Sequence, residues 1–555
     1  MARGDGLMTT SDRPDKGPTV SSRTGWIAFV FFVVLSFAAL ILPDHPGAFY
    51  GAAFLRFQLE VPIMALALLM LPRRVATMAA AVFALAVFTL LFLKIADIGV
   101  QSAFQRRFNP YLDMKMLADG WNVFSGTLGA WKAGLVLGAI LAGFIGLLAL
   151  YFGAERRLTR LSKAQKRGPV IAALVLLVIG VALSFVETPV RAEMKAVAYL
   201  GNRLALVQKS VADMQQFERD LAAADEVASS SDLFTAIRGR DVILVFIESY
   251  GRSAVEDPLY SPVTVPRLGN VEAELTEAGF AAASGWLVSP TMGGLSWLAH
   301  GTFLSGLWTD SQARYDRLMI SDRQSLNRLF RQAGWRTAAV MPAITMDWPE
   351  AAYYGYDEVF ASGDLGYRGK PFNWITMPDQ YTLSAFDRLV RQPAHADGTP
   401  LMAEIALISS HAPWTPVPSL IDWNDVGDGT VFDSQAESGK SPQEVWSNRD
   451  DIREHYIRTI DYSLQTVGDY IARFGDDAVF IVLGDHQPAP VVTGPDASRA
   501  VPVHVISRNA ALIERFEADG FTAGMIPAPD APETGMDTMR AKLIDIFGES
   551  SGPAM

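Results

Sequence analysis

Two apolar segments of the sequence end in side chains that commonly bind metal ions. The first covers residues 242–247 and is followed by Glu248, and the second covers residues 478–483 and leads through one glycine to Asp485 and His486. Short apolar runs rich in β-branched residues are typical of strands buried on both faces of a parallel sheet, and ligands bind at the carboxyl ends of such strands. We therefore expect Glu248, Asp485 and His486 to form a metal site. The structural alternatives are a solvated loop glutamate and an Asp-His turn capped by its own side chain.

A serine lies between these segments, at the predicted start of a helix. Gly293 and Gly294 permit a tight turn, and residues 295–304 then follow a helical pattern that stops at Gly306. Ser296 falls in the first turn, where free backbone N–H groups and the helix dipole favour negative charge. Beside a divalent metal, such a serine can attack phosphorus or sulfur as an alkoxide. The alternative is that Ser296 only caps the helix.

Alternating segments around these residues predict an α/β domain. Residues 337–341 and 403–410 have the pattern of further strands, and residues 325–333 and 455–474 have the pattern of amphipathic helices. This alternation is typical of a mostly parallel sheet flanked by helices. His411 directly follows one of these predicted strands, so we expect it at the same sheet edge as the metal site.

The N-terminal part of the chain is predicted to span a membrane five times. Four uncharged apolar runs approach the roughly 20 residues that a transmembrane helix requires. These runs are residues 26–43, 75–93, 133–153 and 169–186. A fifth run, residues 52–71, contains Arg56 and Glu60 but ends before Pro72 and two arginines, as a membrane exit does.

The distribution of positive charge predicts the orientation of these helices. The polar tail, Arg73 with Arg74, and the connection between the runs at 133–153 and 169–186 are basic, and five spans place all three on one side. By the positive-inside rule that side is the cytoplasm, so the chain after residue 186 faces the periplasm or the exterior. The expected domains are a cytoplasmic tail (1–23), a transmembrane domain (24–186), a helical stalk (187–236) and an extracytoplasmic α/β domain (237–549).

Composition argues against several other classes of protein. The 555 residues carry a net charge of −12, whereas nucleic-acid-binding proteins are usually basic, so no nucleic acid partner is expected. The absence of cysteine excludes thiol catalysis, disulfides and zinc–thiolate sites. Half of the residues are hydrophobic, and this excess lies almost entirely before residue 190, as in an integral membrane protein with a soluble half.

In their order along the chain, these residues resemble the motifs of the alkaline phosphatase/sulfatase superfamily. The shared pattern is a strand-end Glu248, Ser296 at a helix start, a His-x-Pro at His411, and a late Gly-Asp-His ending at His486. The spacing from Ser296 to Ser305 and the following glycine is similar to that from the nucleophile to a Thr-Gly pair in sulfatases. Five membrane helices before such a domain resemble the lipoteichoic acid synthase and phosphoglycerol transferase branch.

The resemblance implies a metal centre and a covalent mechanism. Its four metal ligands would be Glu248, Ser296, Asp485 and His486. Ser296 would also be the nucleophile, where the synthases usually have threonine. One divalent ion is expected, with Mn²⁺ favoured and Mg²⁺ or Zn²⁺ as alternatives. His411 resembles the substrate-side histidine of the family, which would contact phosphate or assist proton transfer. Simple packing of His411 on Trp414 is its structural alternative.

The region around Trp348 follows the family only in part. Trp348 lies where the synthases have a substrate-contacting tryptophan, but Pro342 stands in the place of a histidine, and Pro349 with Glu350 replaces an Asn-Arg pair. These departures concern the pocket that binds glycerol phosphate in that branch. For four further polar residues a structural role is the simpler explanation; these are His300, His504, Thr291 and Arg252.

The function that the resemblance implies is transfer of a phosphoglycerol-type headgroup. A membrane phospholipid would be the donor, Ser296 would carry the group covalently, and an extracytoplasmic glycan or glycolipid would accept it, at the inner (cytoplasmic) membrane of a bacterium. Phosphoethanolamine transfer and phosphodiester hydrolysis are alternatives that the same residues allow. A sulfatase is disfavoured, because the Trp-Leu-Ala-His after Ser296 lacks the proline and arginine of the motif in which sulfatases form formylglycine. A non-catalytic scaffold is disfavoured because all four ligands are present.

Overall fold

The chain is divided into two compact units. The computed structural model describes residues 22–49, 51–114, 121, 125, 129–186, 189–225, 228, 233–494 and 496–548. The first unit comprises Met1–Ile98 and Ala118–Ala205, and the second comprises Gly99–Leu117 and Leu206–Met555.

Five apolar helices form most of the first unit. They are α1 (Ser22–Ile41), α2 (Glu60–Met70), α3 (Arg73–Phe104), α4 (Ala130–Thr159) and α5 (Lys163–Leu183). Among the described residues, α1, α3, α4 and α5 are long and apolar enough to cross a membrane. The last residues of α3 are grouped with the second unit. The apolar helices indicate a membrane protein.

The fifth span predicted from the sequence, residues 52–71, is shorter than expected. Its helix α2 has 11 residues, which corresponds to about 16 Å, against about 30 Å for the hydrocarbon core of a bilayer. The two charges in the first half of this segment make polar contacts instead. Arg56 lies in strand β1 (Arg56–Gln58), which pairs with β2 (Arg191–Glu193), and its Nε is 3.2 Å from a carboxylate oxygen of Glu193. Glu60 accepts a hydrogen bond from the backbone N–H of Ala196 at 2.9 Å.

The basic connections of the first unit meet at one of its ends. A Cβ at Gly168, near the start of α5, would lie 2.8 Å from the ring of Trp26, near the start of α1. Lys166 donates a hydrogen bond of 2.8 Å to the carbonyl of Leu69, just before α3 begins. The start of α1, the α2–α3 connection and the α4–α5 connection therefore lie together, which is the arrangement that a common cytoplasmic side requires.

The second unit alternates helices and strands. Its helices are α6 (Ala196–Ala222, from residue 206 onward), α7 (Arg252–Glu256), α8 (Ser261–Glu277), α9 (Ser296–Ser305), α10 (Gln312–Met319), α11 (Leu326–Gln332), α12 (Ala351–Tyr354), α13 (Asp379–Phe386), α14 (Gln392–Ala396), α15 (Asp433–Ala436), α16 (Pro442–Trp446), α17 (Arg449–Phe474), α18 (Pro490–Thr493), α19 (Ala510–Ala518) and α20 (Met539–Phe547). Its strands are β3 (Val242–Ile247), β4 (Ala281–Val288), β5 (Arg336–Met341), β6 (Glu358–Ala361), β7 (Leu401–Leu407), β8 (Val479–Gly484), β9 (Ala500–Ser507), β10 (Thr522–Ala523) and β11 (Glu533–Gly535).

These strands form one mixed sheet with a parallel centre. The strand order is β10-β4-β9-β8-β3-β7-β5-β6, and β11 pairs with β4. The strands from β8 to β6 in this order pair in parallel, whereas β9 pairs antiparallel with both β8 and β4, and β10 pairs antiparallel with β4. The predicted α/β fold with a mostly parallel sheet and flanking helices is confirmed.

Helices cover both faces of the sheet. Alternate side chains of β3 belong to opposite cores: Ile243 and Val245 pack with α8 and α17, and Leu244 and Phe246 pack with α9, α11 and α20. All six residues of β3, and all six of β8, are buried. Burial on both faces explains why both strands are uninterrupted apolar runs in the sequence.

Gly484, the last residue of β8, allows two backbone segments to approach closely. A Cβ at this position would lie 1.8 Å from the carbonyl oxygen of Tyr250. We expect Gly484→Ala to lower the free energy of unfolding of this unit by about 3 kcal/mol or more, because a backbone segment would have to move. Thermal unfolding followed by tryptophan fluorescence measures the effect. Gly363→Ala is the matched control, since a Cβ there has no neighbour within 4 Å. Equal stability of the two variants would contradict the prediction.

Candidate active site and metal centre

Glu248 lies where β3 ends at the edge of the sheet. Its backbone N–H extends the pairing of β3 with β7 through a 3.2 Å hydrogen bond to Leu407. The next residue, Ser249, has a φ of 57°, so the chain turns sharply there. Ser249 holds the site together in two ways: its hydroxyl donates to Glu248 Oε1 at 2.8 Å, and its N–H donates to Asp485 Oδ1 at 2.8 Å.

Asp485 and His486 follow the neighbouring strand β8 at the same edge. The backbone carbonyl of Asp485 accepts a hydrogen bond from Ser289 at 2.7 Å, which fixes this turn against the end of β4. His486 Nδ1 lies 2.9 Å from the carbonyl oxygen of Gln487. A carbonyl only accepts, so Nδ1 carries the proton, and the lone pair of Nε2 is free to bind a metal.

Ser296 is placed by a constrained turn at the start of α9. Gly293, Gly294 and Leu295 all have positive φ values, of 73°, 140° and 66°. The turn is fixed by a 2.8 Å hydrogen bond from the Gly293 N–H to Gln487 O, and by one of 2.7 Å from Thr291 Oγ1 to Gly294 O. Because Gln487 follows His486 directly, the same short segment positions both the turn before Ser296 and a predicted metal ligand.

The four predicted ligands converge in the structure. Ser296 Oγ is 3.0 Å from Glu248 Oε2 and 3.2 Å from His486 Nε2. Ligand atoms of Glu248, Asp485 and His486 all lie within 4.8 Å of one another. Two carboxylates, one imidazole and one hydroxyl are the kinds of donor that divalent cations bind, so these residues fit such an ion.

The charges of the site are strongly coupled. Burial and the neighbouring Glu248 carboxylate raise the pKa of Asp485 to about 6. Burial acts in the same direction on Glu248, but its interactions with the imidazoles of His486 and His411 and its hydrogen bond from Ser249 outweigh burial and lower its pKa. For His486, burial opposes protonation, while Asp485 and Glu248 favour it and raise its pKa. The protein has therefore gathered negative charge that a cation would balance.

A pocket of about 240 Å³ opens beside this cluster. Ser296, Glu248 and Asp485 line it, together with the predicted substrate residues His411 and Trp348. His411 is exposed, and its Nδ1 is 2.6 Å from the carbonyl oxygen of Ala412, which leaves Nε2 available. The remaining walls are mainly aromatic and aliphatic. Ser296 thus lies at the polar end of a largely apolar pocket.

His300 and Glu404 also line the pocket, and the second of these was not expected from the sequence. His300 Nδ1 is 2.6 Å from Glu404 Oε1, and Glu404 belongs to β7. The sequence carries one signal for this site: Glu404 is an acidic residue inside the otherwise apolar run of β7. An ionisable side chain buried in a strand needs a partner, and here the partner is His300.

Three other polar candidates have structural contacts. Arg252 pairs with Glu256 at 2.6 Å and lies over the ring of Trp286 at 4.6 Å. The Thr291 hydroxyl donates a hydrogen bond to the carbonyl of Gly294, within the turn that precedes Ser296. His504 is fully buried in β9, with Nδ1 2.7 Å from Ser284 Oγ and Nε2 3.2 Å from the Tyr250 hydroxyl.

His504 makes a specific contribution to the pH dependence of stability. Burial lowers the pKa of its imidazole to about 3, from an ordinary value of about 6.5. Between these pH values the unfolded chain binds the proton and the folded chain does not, so stability falls as the pH drops from 6.5 towards 3. The expected slope is up to about 1.4 kcal/mol per pH unit. Unfolding midpoints measured across this range should fall less steeply in His504→Gln, and parallel curves would contradict this assignment.

Comparison with known proteins agrees with the predicted sulfatase-like fold. Residues 240–504 match the family model described as Sulfatase. No curated protein matches the sequence.

Solved structures of several related enzymes are similar to the chain at low identity. The lipoteichoic acid synthase LtaP of Listeria monocytogenes is 13% identical, with 59% of this chain and 78% of that chain covered and a TM-score of 0.37. The C-terminal periplasmic domain of EptC from Escherichia coli is 14% identical, with 59% and 84% covered and a TM-score of 0.37. The phosphoglycerol transferase GacH of Streptococcus pyogenes is 13% identical, with 61% and 93% covered and a TM-score of 0.35.

The family match covers β3 with Glu248, the turn with Ser296, and β8 with Asp485 and His486. The resemblance noted from the sequence is therefore confirmed. The chain carries a sulfatase-family domain of the alkaline phosphatase/sulfatase superfamily.

Proposed function

We propose that this protein transfers a phosphoglycerol-type headgroup from a membrane phospholipid to an extracytoplasmic glycan or glycolipid. The observation that carries the proposal is the position of Ser296 Oγ, 3.0 Å from Glu248 Oε2 and 3.2 Å from His486 Nε2, in the lining of a pocket of about 240 Å³. A serine so placed among metal-binding side chains is suited to attack on a phosphodiester. The apolar helices of the first unit would keep the enzyme at the membrane that contains its donor.

The reaction would proceed in two half-reactions. In the first, Ser296 Oγ attacks phosphorus, the new Ser–O–P bond forms, and the P–O bond to diacylglycerol breaks. The serine proton is lost, and the diacylglycerol oxygen takes up a proton on leaving. In the second, an acceptor hydroxyl attacks the same phosphorus, loses its proton, and releases Ser296, which regains one. No oxidant or reductant is required.

Glu248, Asp485 and His486, with Ser296, would hold one divalent ion, for which we favour Mn²⁺. Bound there, the ion would supply positive charge that lowers the pKa of the Ser296 hydroxyl and offsets charge on the phosphoryl oxygens. Mixed carboxylate and imidazole donors also accept Mg²⁺ or Zn²⁺. His411, whose Nε2 is available at the pocket, would contact the phosphoryl group or transfer a proton, and Trp348 would form part of the headgroup wall.

The proposed location is the bacterial cytoplasmic membrane, with the sulfatase-like domain outside. The clustering of the basic connections at one end of the first unit supports this orientation, because cytoplasmic loops are enriched in lysine and arginine.

Intact mass measurement on the purified full chain tests the proposal. The protein is incubated in detergent with Mn²⁺ and phosphatidylglycerol, beside Ser296→Ala and a sample containing chelator. A mass gain of one phosphoglycerol unit that both controls lack is the expected result. Release of diacylglycerol without an adduct would indicate hydrolysis or fast turnover. Neither adduct nor release, from protein shown to bind Mn²⁺, would overturn phosphatidylglycerol as donor.

A further inference from the structure

His300 is held in a fixed orientation beside the nucleophile. It lies four residues after Ser296 in α9, so both side chains project from the same face of the helix. Its Nδ1 is 2.6 Å from Glu404 Oε1, and its ring stacks on Phe246 with centroids 3.9 Å apart and planes 23° apart. The hydroxyl of Tyr356 donates to the other oxygen of Glu404.

This arrangement determines which atom of His300 meets a substrate. The Glu404 carboxylate accepts from His300, so the proton on the bonded side of the ring belongs to Nδ1. Nε2 has no hydrogen-bond partner among the described residues, and the ring lines the pocket. Nε2 is therefore the atom that His300 offers to a bound molecule. The imidazole is only about 12% exposed, so a molecule in the pocket would contact it largely away from bulk water.

The pocket offers few other polar contacts to a headgroup. Apart from the metal-site residues and His411, which faces the reacting phosphoryl group in the proposed mechanism, its lining is largely aromatic and aliphatic, including Trp348, Tyr354, Ile344 and Met341. Both oxygens of Glu404 are already engaged, by His300 and Tyr356, so this carboxylate is not free to bind a cation. As an acceptor, Nε2 can take a hydrogen bond from a hydroxyl or from an ammonium group, but outside the metal site the described lining has no uncommitted carboxylate to balance an ammonium charge.

We propose that His300 is a specificity-determining residue, which contacts the headgroup of the donor and selects a hydroxyl-bearing headgroup over an ammonium-bearing one. Glu404 and Tyr356 are positioning residues that fix its ring. The inference rests on the proposed headgroup transfer. A cation–π attraction between an ammonium group and the aromatic walls would favour the opposite selection.

Initial rates with two donors test this selection. The full chain with Mn²⁺ is assayed in mixed micelles that contain phosphatidylglycerol or phosphatidylethanolamine. Wild type is expected to prefer phosphatidylglycerol. His300→Ala should lower kcat/KM for this donor about tenfold, mainly through KM, and lower it much less for phosphatidylethanolamine, so that the donor preference shrinks. Equal losses with both donors, no loss, or a wild-type preference for phosphatidylethanolamine would each overturn the proposal.

Variants of Glu404 distinguish a positioning role from a nonspecific loss of structure. Glu404→Gln keeps an acceptor for Nδ1 and should retain most of the preference, whereas Glu404→Ala should reproduce the loss seen in His300→Ala. His395→Gln is the matched control: His395 also pairs with a buried carboxylate, Asp241, at 2.7 Å, but Asp241 precedes β3 and so lies at its opposite end from the pocket. A changed donor preference in His395→Gln would overturn the assignment to His300.

A binding measurement decides the inference even if transfer is not observed. Calorimetry in the presence of Mn²⁺ measures the affinity of full-length Ser296→Ala for glycerol phosphate and for phosphoethanolamine. The same two affinities are then measured for the Ser296→Ala, His300→Ala double variant. Tighter binding of glycerol phosphate that depends on His300 supports the inference. Binding of both compounds regardless of His300, or of neither compound, overturns it. Absence of both the adduct and diacylglycerol release in the intact mass experiment, by contrast, overturns the transfer from phosphatidylglycerol alone.

Discussion

Ser296→Ala is expected to reduce headgroup transfer by a factor on the order of 10⁴ or more, because removal of a covalent nucleophile removes both half-reactions. The lost oxygen is also a proposed metal ligand, but Glu248, Asp485 and His486 would remain to bind the ion. Diacylglycerol release from phosphatidylglycerol in the presence of Mn²⁺ measures the effect.

Ser296→Thr is the matched control for this variant. It keeps a hydroxyl at the first turn of α9, and threonine is the residue that lipoteichoic acid synthases usually have at the corresponding position. We expect Ser296→Thr to retain measurable transfer and Ser296→Ala to unfold at the same temperature as wild type. If Ser296→Ala retained a tenth or more of the wild-type rate, Ser296 would be excluded as the nucleophile.

His486→Ala is expected to abolish the stabilisation of the protein by divalent metal. An ion that binds only the folded chain stabilises it by about 2.7 kcal/mol when its free concentration is 100 times Kd. Titration of wild type with Mn²⁺ should therefore raise the unfolding temperature by several degrees. His486→Ala should show no such rise at the same concentrations, because the imidazole that lies 3.4 Å from Glu248 Oε1 is missing.

His411→Ala provides the control within the same pocket. His411 lies outside the cluster of ligand atoms formed by Glu248, Asp485 and His486, so its loss should leave the metal-induced rise intact. We nevertheless expect His411→Ala to lower transfer, since it removes a substrate contact. If both histidine variants lost the metal effect, the ligand set would have to be extended to His411.

The apolar strands and the residues that follow them could be predicted because burial leaves a clear signal in the sequence. β3 occupies the residues expected of it, and β8 is shifted by one. Strand direction leaves no such signal. β9 is fully buried, and its sequence is as apolar as that of a parallel strand. It nevertheless runs antiparallel to β8, because its direction depends on how the chain connects the two strands.

Two features could not be derived from local patterns because tertiary contacts decide them. The segment expected to be a membrane span at residues 52–71 is apolar enough on average, but the pairing of β1 with β2 interrupts it at Arg56–Gln58, so its helix begins only at Glu60. The partnership of His300 with Glu404 joins residues that are 104 positions apart, so neither residue alone indicates it. Contacts of this kind need either a structure or the covariation of many sequences.

The separation in sequence of the site residues bears on how the protein acquires its activity. The bond from the Ser249 N–H to Asp485 Oδ1 links residues 236 positions apart, and Ser296 joins them from a third segment. Closing such long loops is entropically costly, so contacts of this kind form only together with the β3–β8 pairing. A nascent chain whose β8 has not yet left the ribosome would contain Ser296 but not the complete set of proposed metal ligands. We therefore expect metal binding only after β8 has joined the sheet, and a chain truncated before residue 479 should bind no metal at this site.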